Sequence, residues 1–234
     1  MVFAQILLIN MRKTLVNRKH ICNLGRIPFS ADRNPLHCMV KEIIDNPNIK
    51  YDNTSLKKHD IIYNPKTISD IYCIEYLSNY SANCQFAPWI HTRPVCEFKD
   101  YGFFVEEFGV LEKMKGLIKS VRKNGYVPEM FPDRKNGISG YWLVSGEKRK
   151  FYVVSGNHRV AVLFTLFPEK EFRFNIEEFR NMKRREKANN GLFRLVERHP
   201  EEFNIKEVDN WPSVRSGFTT KKVATQIFNC YMKD

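Results

Sequence analysis

The spacing of apolar residues along the chain predicts a series of helices. Residues 106–123 place six apolar side chains on one helical stripe: Val110, Leu111, Met114, Leu117, Ile118 and Val121. The Asn124-Gly125 pair that follows is typical of a helix C-terminus. Similar patterns predict helices at residues 36–44, 67–80, 160–167 and 219–232, the last capped by Thr219 or Thr220, and one or two charged helices within 177–203.

Runs of β-branched and aromatic residues predict the strands. They lie at residues 126–130, 141–145, 151–154 and 172–176, and a further buried strand is expected within residues 1–20. The second and third of these flank Gly146-Glu147-Lys148, which indicates a β-hairpin. Residues 81–100 contain Phe86, Trp89 and two prolines without a regular pattern, and they predict an extended linker.

The length and composition indicate a folded chain. Its 234 residues are 43% hydrophobic and 13% aromatic, which is enough for a sizeable core and excludes a disordered protein. The longest apolar run, near Val2 to Ile9, is shorter than the roughly 20 residues that span a bilayer, so no transmembrane segment is predicted. No basic residue precedes this run and Arg12 and Lys13 follow it, which does not fit a signal peptide. A cytoplasmic location is therefore expected.

The chain is basic, with 38 Lys and Arg against 26 Asp and Glu. Such a charge attracts phosphate in nucleic acid, anionic lipid or nucleotide. The excess is spread evenly, with 13 basic and 9 acidic side chains in residues 1–100, 14 and 10 in 101–180, and 11 and 7 in 181–234. The densest cluster, residues 180–187, fits either a solvated helix face or a docking site for nucleic acid or lipid.

The six cysteines show no metal-binding pattern. They are Cys22, Cys38, Cys73, Cys84, Cys96 and Cys230. No pair has CxxC spacing, and no histidine joins them in a zinc pattern, so no metal ligands are predicted. Free, buried thiols in a reducing cytosol are the expected state.

The most informative local sequence is the passage from a predicted strand through Ser155 to Arg159 into a predicted helix. The first amides of a helix lack intrahelical partners and lie at the positive end of its dipole. Gly156 lets the backbone approach a ligand, and Ser155 and Asn157 offer polar side chains. His158 and Arg159 add hydrogen-bond donors and positive charge. The combination fits a cradle for nucleotide phosphates, and it also fits a plain strand–turn–helix with a capping Asn and a solvated Arg.

Residues 111–176 contain LEKMKGLIKSVRKNGYVPEM, then YWLVSGEKRKFYVVSGNHRVAVLFTL, then FRFNI. In order and spacing this segment resembles the ParB N-terminal/sulfiredoxin-like superfamily. The resemblance implies an α+β fold, with a small mixed sheet and packed helices. It also implies that Gly156, Asn157, His158 and Arg159, with Ser155 beside them, hold the phosphates of ATP or another nucleotide such as CTP.

Departures from the family pattern reduce the number of family reactions that are expected of this chain. Sulfiredoxins have a catalytic cysteine directly before the His-Arg of the motif, and Asn157 occupies that position here, so repair of sulfinic acids is not expected. Chromosome-partitioning ParB proteins carry a second Glu-Asn-rich box and a helix-turn-helix, neither of which is evident after Ile176. A third branch contains ATP- or ADP-dependent kinases of small molecules such as free serine.

Phosphoryl transfer would also need carboxylates near the phosphates, as a general base and for Mg²⁺. The candidate catalytic residues are Glu106 and Glu107, just before the helix at 111–123, and His158. Either glutamate fits a solvated charge at a helix start equally well. Glu147, in the hairpin turn, is expected to be exposed.

A second candidate segment runs from Trp211 to Gly217. Arg215 and Ser216 precede the last predicted helix and fit a binding site for a phosphorylated or acidic sugar substrate. The alternative is that Trp211 anchors the C-terminal helix to the core and Arg215 pairs with a carboxylate. The GNHRVAVL turn and the stretch 211–231 also resemble ParB-like proteins of bacterial surface-polysaccharide gene clusters.

These observations predict three regions and one preferred activity. Residues 1–100 form an N-terminal extension, 101–180 the ParB/sulfiredoxin-like nucleotide-binding domain, and 181–234 a C-terminal helical region. The expected function is an ATP-dependent phosphotransferase, with Mg²⁺, acting on a small molecule such as a sugar or an amino acid. A nucleotide-dependent, DNA-associated binding protein and a non-catalytic scaffold are the alternatives.

Overall fold

The computed structural model describes residues 13–22, 34–55, 67, 69, 74–80, 84–96, 109–126, 137–176 and 202–233. Its strands are β1 (Lys13–Val16), β2 (Ile21–Cys22), β3 (Cys84–Gln85), β4 (Val95–Cys96), β5 (Ser139–Ser145), β6 (Lys148–Ser155), β7 (Phe172–Ile176) and β8 (Glu202–Asn204). Its α-helices are α1 (Pro35–Asp45), α2 (Val110–Asn124), α3 (Asn157–Leu166), α4 (Pro212–Arg215) and α5 (Lys221–Met232). Short 3-10 helices cover Arg18–His20, Tyr51–Asn53, Glu75–Leu77 and Ile205–Asn210.

A mixed sheet forms the centre of the fold. Its strand order is β1-β7-β5-β6-β2, and β8 also pairs with β5. Strand β5 is antiparallel to β6 along one edge, while its other edge pairs in parallel with β7 near Ser139 and with β8 from Trp142 to Val144. Strands β3 and β4 form a separate antiparallel pair. Elements from residues 1–100, 101–180 and 181–234 all contribute to the main sheet.

The alternation of side chains along β5 and β6 gives the sheet two buried faces. Trp142 and Phe151 belong to one apolar cluster, which contains the buried sides of α1, α2 and α3. Tyr141 and Tyr152 belong to a second cluster, which contains α5, Trp89 and residues around α4. Helices cover the first face, and the C-terminal elements with the loop between β3 and β4 cover the second.

Several predicted elements are confirmed by the structure. The chain is mixed α+β, the hairpin of β5 and β6 turns at Gly146-Glu147, and β7 covers the predicted residues 172–176. Helix α2 ends before Gly125, whose φ of 70° favours glycine. Helix α5 begins after Thr220, whose side-chain oxygen accepts a hydrogen bond from the N–H of Val223.

Three predictions from the N-terminal half are wrong where the structure describes them. The predicted helix at 67–80 does not reach its end, because Ile74 is extended (φ −126°, ψ 101°) and only a 3-10 turn follows. Residues 84–96 are not a linker, because Phe86 and Trp89 are buried in the second cluster. The cysteines are not all free thiols, since Cys84 is disulfide-bonded.

Other predictions fall on residues that the structure does not describe. They are the apolar run near residues 2–9, the strand at 127–130, the basic cluster at 180–187 with its charged helices, and the carboxylates Glu106 and Glu107. Among the described residues, no helix has both the length and the apolar character needed to cross a membrane.

Candidate functional site

The predicted phosphate turn lies where β6 passes into α3. Ser155 is the last residue of β6, and Gly156 adopts a left-handed conformation with a φ of 90°. The first hydrogen bond of the helix runs from the N–H of Val160 to the carbonyl oxygen of Gly156, at 3.0 Å. The amides of the three residues before Val160 therefore lie at the positive end of the helix dipole.

Gly156 is required by the packing of the protein itself. A Cβ atom at this position would lie 2.9 Å from Cγ1 of Ile138 and 3.1 Å from the carbonyl oxygen of Gly137. Together with the positive φ, this crowding excludes a side chain whether or not a ligand is bound. The glycine thus sets the sharp entry into α3, and close approach of a ligand is not needed to explain it.

Three basic side chains from two helices share the N-terminal end of α3. The pKa of His158 is lowered from 6.5, first because neighbouring protein atoms desolvate the partly exposed imidazole, and then because Lys113 and Arg159 are positively charged. Lys113 belongs to α2, and its backbone N–H bonds to the carbonyl oxygen of Gly109 at 2.9 Å. The structure therefore brings Lys113 into the field of the predicted residues His158 and Arg159.

Sequence reasoning missed Lys113. The helical pattern of residues 106–123 places it outside the apolar stripe, where a solvated lysine is the ordinary interpretation. Only the packing of α2 against α3 brings its charge close to His158. No signal within the local sequence marks this lysine apart from the others on the same helix.

The protonation of His158 defines what the site can do near neutral pH. Because its pKa lies below 6.5, the imidazole is mostly neutral at pH 7 and offers one donor and one acceptor nitrogen. Lys113 and Arg159 then supply the positive charge. This set of groups suits an anion that also has a proton to exchange, such as a phosphate.

Asn157 adds a buried polar atom to the site. Its Oδ1 has no hydrogen-bond partner among the residues that the structure describes. An unsatisfied buried acceptor typically costs about 1–3 kcal/mol, so such atoms call for a water or ligand donor. The predicted cap is therefore not formed by Asn157: Gly156 is the N-cap residue, and no side chain caps this helix.

The donor set at this turn fits a phosphate group better than it fits a metal ion. Backbone amides, Lys113 and Arg159 are groups that bind phosphate oxygens. Mg²⁺ prefers carboxylates, and the described residues contain no cluster of three or more His, Cys, Asp or Glu side chains able to hold a metal. The predicted carboxylates Glu106 and Glu107 lie outside the described residues.

The second predicted segment lies on the opposite face of the sheet. Trp211 packs against Phe228 of α5, with ring centroids 5.2 Å apart, in the cluster that contains Tyr152. Arg215 ends the four-residue α4, and the exposed Ser216 donates its hydroxyl to the carbonyl oxygen of Ser213 at 3.1 Å. Because α3 belongs to the other cluster, the structure does not bring Arg215 and Ser216 together with the Gly156 turn.

A buried polar network ties α3 to α1. Thr165 donates its hydroxyl to the carbonyl oxygen of Ala161 at 2.7 Å, and its Oγ1 lies 2.8 Å from Nδ1 of His37. The Nε2 atom of His37 lies 3.3 Å from a guanidinium nitrogen of Arg18, which can only donate. These contacts place the imidazole proton on Nδ1 and leave Nε2 as the acceptor. The network fixes the helix that begins at the candidate site.

Comparison of the chain with protein-family models, with curated proteins and with solved structures yields no match.

Proposed function

We propose that this protein binds the phosphates of a nucleotide at the turn between β6 and α3. The observation that carries the proposal is that the positive charges of Lys113 and Arg159 both act on His158, in the first turn of α3. Positive charge and the positive end of a helix dipole both stabilise a bound anion. The proposal also draws on the ParB/sulfiredoxin-like resemblance of residues 111–176, which assigns phosphates to the same turn.

The preferred reaction is transfer of a phosphoryl group from ATP to a small molecule such as a sugar or an amino acid. Lys113 and Arg159 would neutralise phosphate charge, and the neutral imidazole of His158 would hydrogen-bond a phosphate oxygen. Glu106 and Glu107 precede α2 in the sequence and are the candidates for activating the acceptor hydroxyl and holding Mg²⁺. A cytoplasmic location, where ATP is abundant, belongs to this proposal.

The test is calorimetry with ATP, ADP, CTP and GTP in the presence of Mg²⁺. Replacing Arg159 or Lys113 with Ala should weaken binding about 10- to 100-fold, as expected for loss of one charge-assisted hydrogen bond. Lys119→Ala is the matched control, because Lys119 is exposed on α2 and is not among the groups that shift the pKa of His158. Absence of nucleotide binding to the unchanged protein would refute the proposal.

Catalysis is tested separately from binding. Glu106→Gln and Glu107→Gln should abolish phosphoryl transfer on a panel of sugars and amino acids if either is the base, while leaving nucleotide affinity nearly unchanged. Nucleotide binding without turnover on any acceptor would favour the switch or scaffold alternative over a kinase.

One observation favours the DNA-associated alternative as a second candidate. Lys119, Arg122 and Lys123 are exposed on α2, and none of their side chains has an ion pair or a hydrogen bond within the described part of the chain. If they contact nucleic-acid phosphates, replacing all three with Gln should weaken DNA binding and flatten its salt dependence by up to about three units of log–log slope. Binding of nucleotide without any binding of DNA at low salt would exclude this alternative.

A further inference from the structure

The loop between β3 and β4 begins at a disulfide-bonded cysteine and ends at another cysteine. Cys84 is disulfide-bonded, and in the antiparallel pairing of β3 with β4 the residue directly opposite it is Cys96. Directly opposed residues of antiparallel strands have Cα atoms roughly 4.5–5.5 Å apart, which lies within the range that a disulfide bridges. Cys38 and Cys230 are not disulfide-bonded.

This loop contributes much of its length to the second apolar cluster. Its buried residues include Phe86, Ala87, Trp89, Ile90 and His91. Strands β3 and β4 have only two residues each, so few backbone hydrogen bonds hold the ends of the loop together. So short a ladder gives the loop little order, and a disulfide across its base would add to that order.

The C-terminal elements pack directly on the loop. The ring of Trp89 makes edge contacts with Trp211, Phe228 and Tyr231, with centroids 5.2–5.7 Å apart. The carbonyl oxygen of Pro88 accepts hydrogen bonds from both the N–H and the hydroxyl of Ser213. Helices α4 and α5 therefore pack on the loop whose first residue is the disulfide-bonded Cys84.

We propose that Cys84 and Cys96 form a redox-sensitive staple that holds α4 and α5 on the sheet. Reduction by a dithiol breaks the S–S bond, leaves one thiol on each cysteine and converts the dithiol to its disulfide, with two electrons and two protons transferred. Opening the staple frees the loop of residues 84–96, and the contacts of Trp89 and Pro88 with the C-terminal elements weaken.

The staple is tested on the full chain by peptide mapping without reductant, and by thermal unfolding with and without dithiothreitol. Mapping should recover Cys84 linked to Cys96. The reductant should lower the Tm by about 5–10 °C, as expected for opening a loop of this length in a chain of this size. It should also increase quenching of tryptophan fluorescence by acrylamide, because Trp89 and Trp211 both lie in the affected cluster.

Variants separate the staple from general effects of the reductant. Cys84→Ser and Cys96→Ser should each have the Tm of the reduced protein and no longer respond to dithiothreitol. Cys38→Ser, in α1 at a cysteine outside any disulfide, should keep the full response. A Cys84 that is alkylated without prior reduction, a link from Cys84 to another cysteine, or a Tm and quenching unchanged by the reductant would each overturn the proposal. Peptide mapping, the Tm and the quenching are all measured on the unchanged protein, so they remain decisive if a serine variant fails to fold.

Discussion

The backbone N–H of Ala87 donates a hydrogen bond of 3.0 Å to Nδ1 of the buried His91. This nitrogen is therefore the acceptor of the neutral ring, and protonating it would break the bond. Burial also lowers the pKa of His91 from 6.5 to about 4. Both effects favour the neutral imidazole in the folded state.

From this relationship we predict a loss of stability in mild acid. Below pH 6.5 the unfolded chain binds a proton at His91, whereas the folded chain binds it only near pH 4. The free energy of unfolding therefore falls as the pH drops from 6.5 to about 4, and then levels off. The total loss from this residue is about 3 kcal/mol. Urea unfolding between pH 4 and pH 7.5 measures it. His91→Asn keeps an acceptor but does not titrate, so its free energy of unfolding should depend less on pH. His20→Asn, at an exposed histidine, should keep the full pH dependence. Equal pH dependence in all three proteins would contradict the prediction.

A pair of glycine substitutions tests the packing of the sheet. At Gly140, where β5 has a bulge, an added Cβ would overlap the carbonyl oxygen of Tyr152 and lie 2.7 Å from Cε1 of Phe151. Gly140→Ala should therefore lower the free energy of unfolding by about 3 kcal/mol or more. Gly116→Ala, in the exposed middle of α2 with open space around it, should raise it by up to about 1 kcal/mol. Chemical denaturation measures both changes. A Gly140→Ala variant as stable as the unchanged protein would contradict the close approach of Gly140 to Tyr152 and Phe151.

Elements whose signals are complete within a short segment could be predicted from the sequence. The hairpin at Gly146, the end of α2 at Gly125 and the cap of α5 at Thr220 each depend on residues a few positions apart. The prediction of a linker is wrong for residues 84–96 because the order of this loop depends on partners far along the chain. Trp89 packs on Trp211, more than a hundred residues later, and no local pattern records that contact.

The candidate site also combines features that local sequence predicts with features that depend on distant contacts. The strand, the glycine turn and the helix at Ser155–Arg159 follow from local sequence, and the structure has them there. Lys113 could not be found in this way, since its relevance arises only when α2 packs against α3. Conversely, Arg215 is sequence-adjacent to a predicted helix start but lies on the other face of the sheet from α3.

The hydrogen bonds that join Thr165, His37 and Arg18 predict different losses of stability for two substitutions at Thr165. Thr165→Val keeps the shape of the side chain but removes the oxygen that accepts from Nδ1 of the buried His37. We expect a loss of about 1–3 kcal/mol in the free energy of unfolding, because a buried donor loses this partner. Thr165→Ser keeps the oxygen and should lose clearly less. Nitrogen NMR of the His37 ring should show the proton on Nδ1, and a proton on Nε2 in the unchanged protein would contradict the assignment.

The lowered pKa of His158 predicts that anion binding at the turn strengthens in mild acid. As the pH falls through that pKa the imidazole gains a positive charge beside Lys113 and Arg159, and a bound anion then offsets the repulsion among the three. Sulfate is the suitable probe, because it remains doubly charged throughout and its own titration cannot produce the effect. We expect its affinity to rise about 3- to 10-fold as the pH is lowered from 7.5 to below the lowered pKa of His158, the size of one added ion pair at a partly exposed site. His158→Asn should bind sulfate with little dependence on pH, whereas His20→Asn, altered at an exposed histidine remote from the turn in sequence, should behave like the unchanged protein. An equal rise in His158→Asn would assign the effect to another group, and weaker binding at low pH would show that His158 does not face the anion.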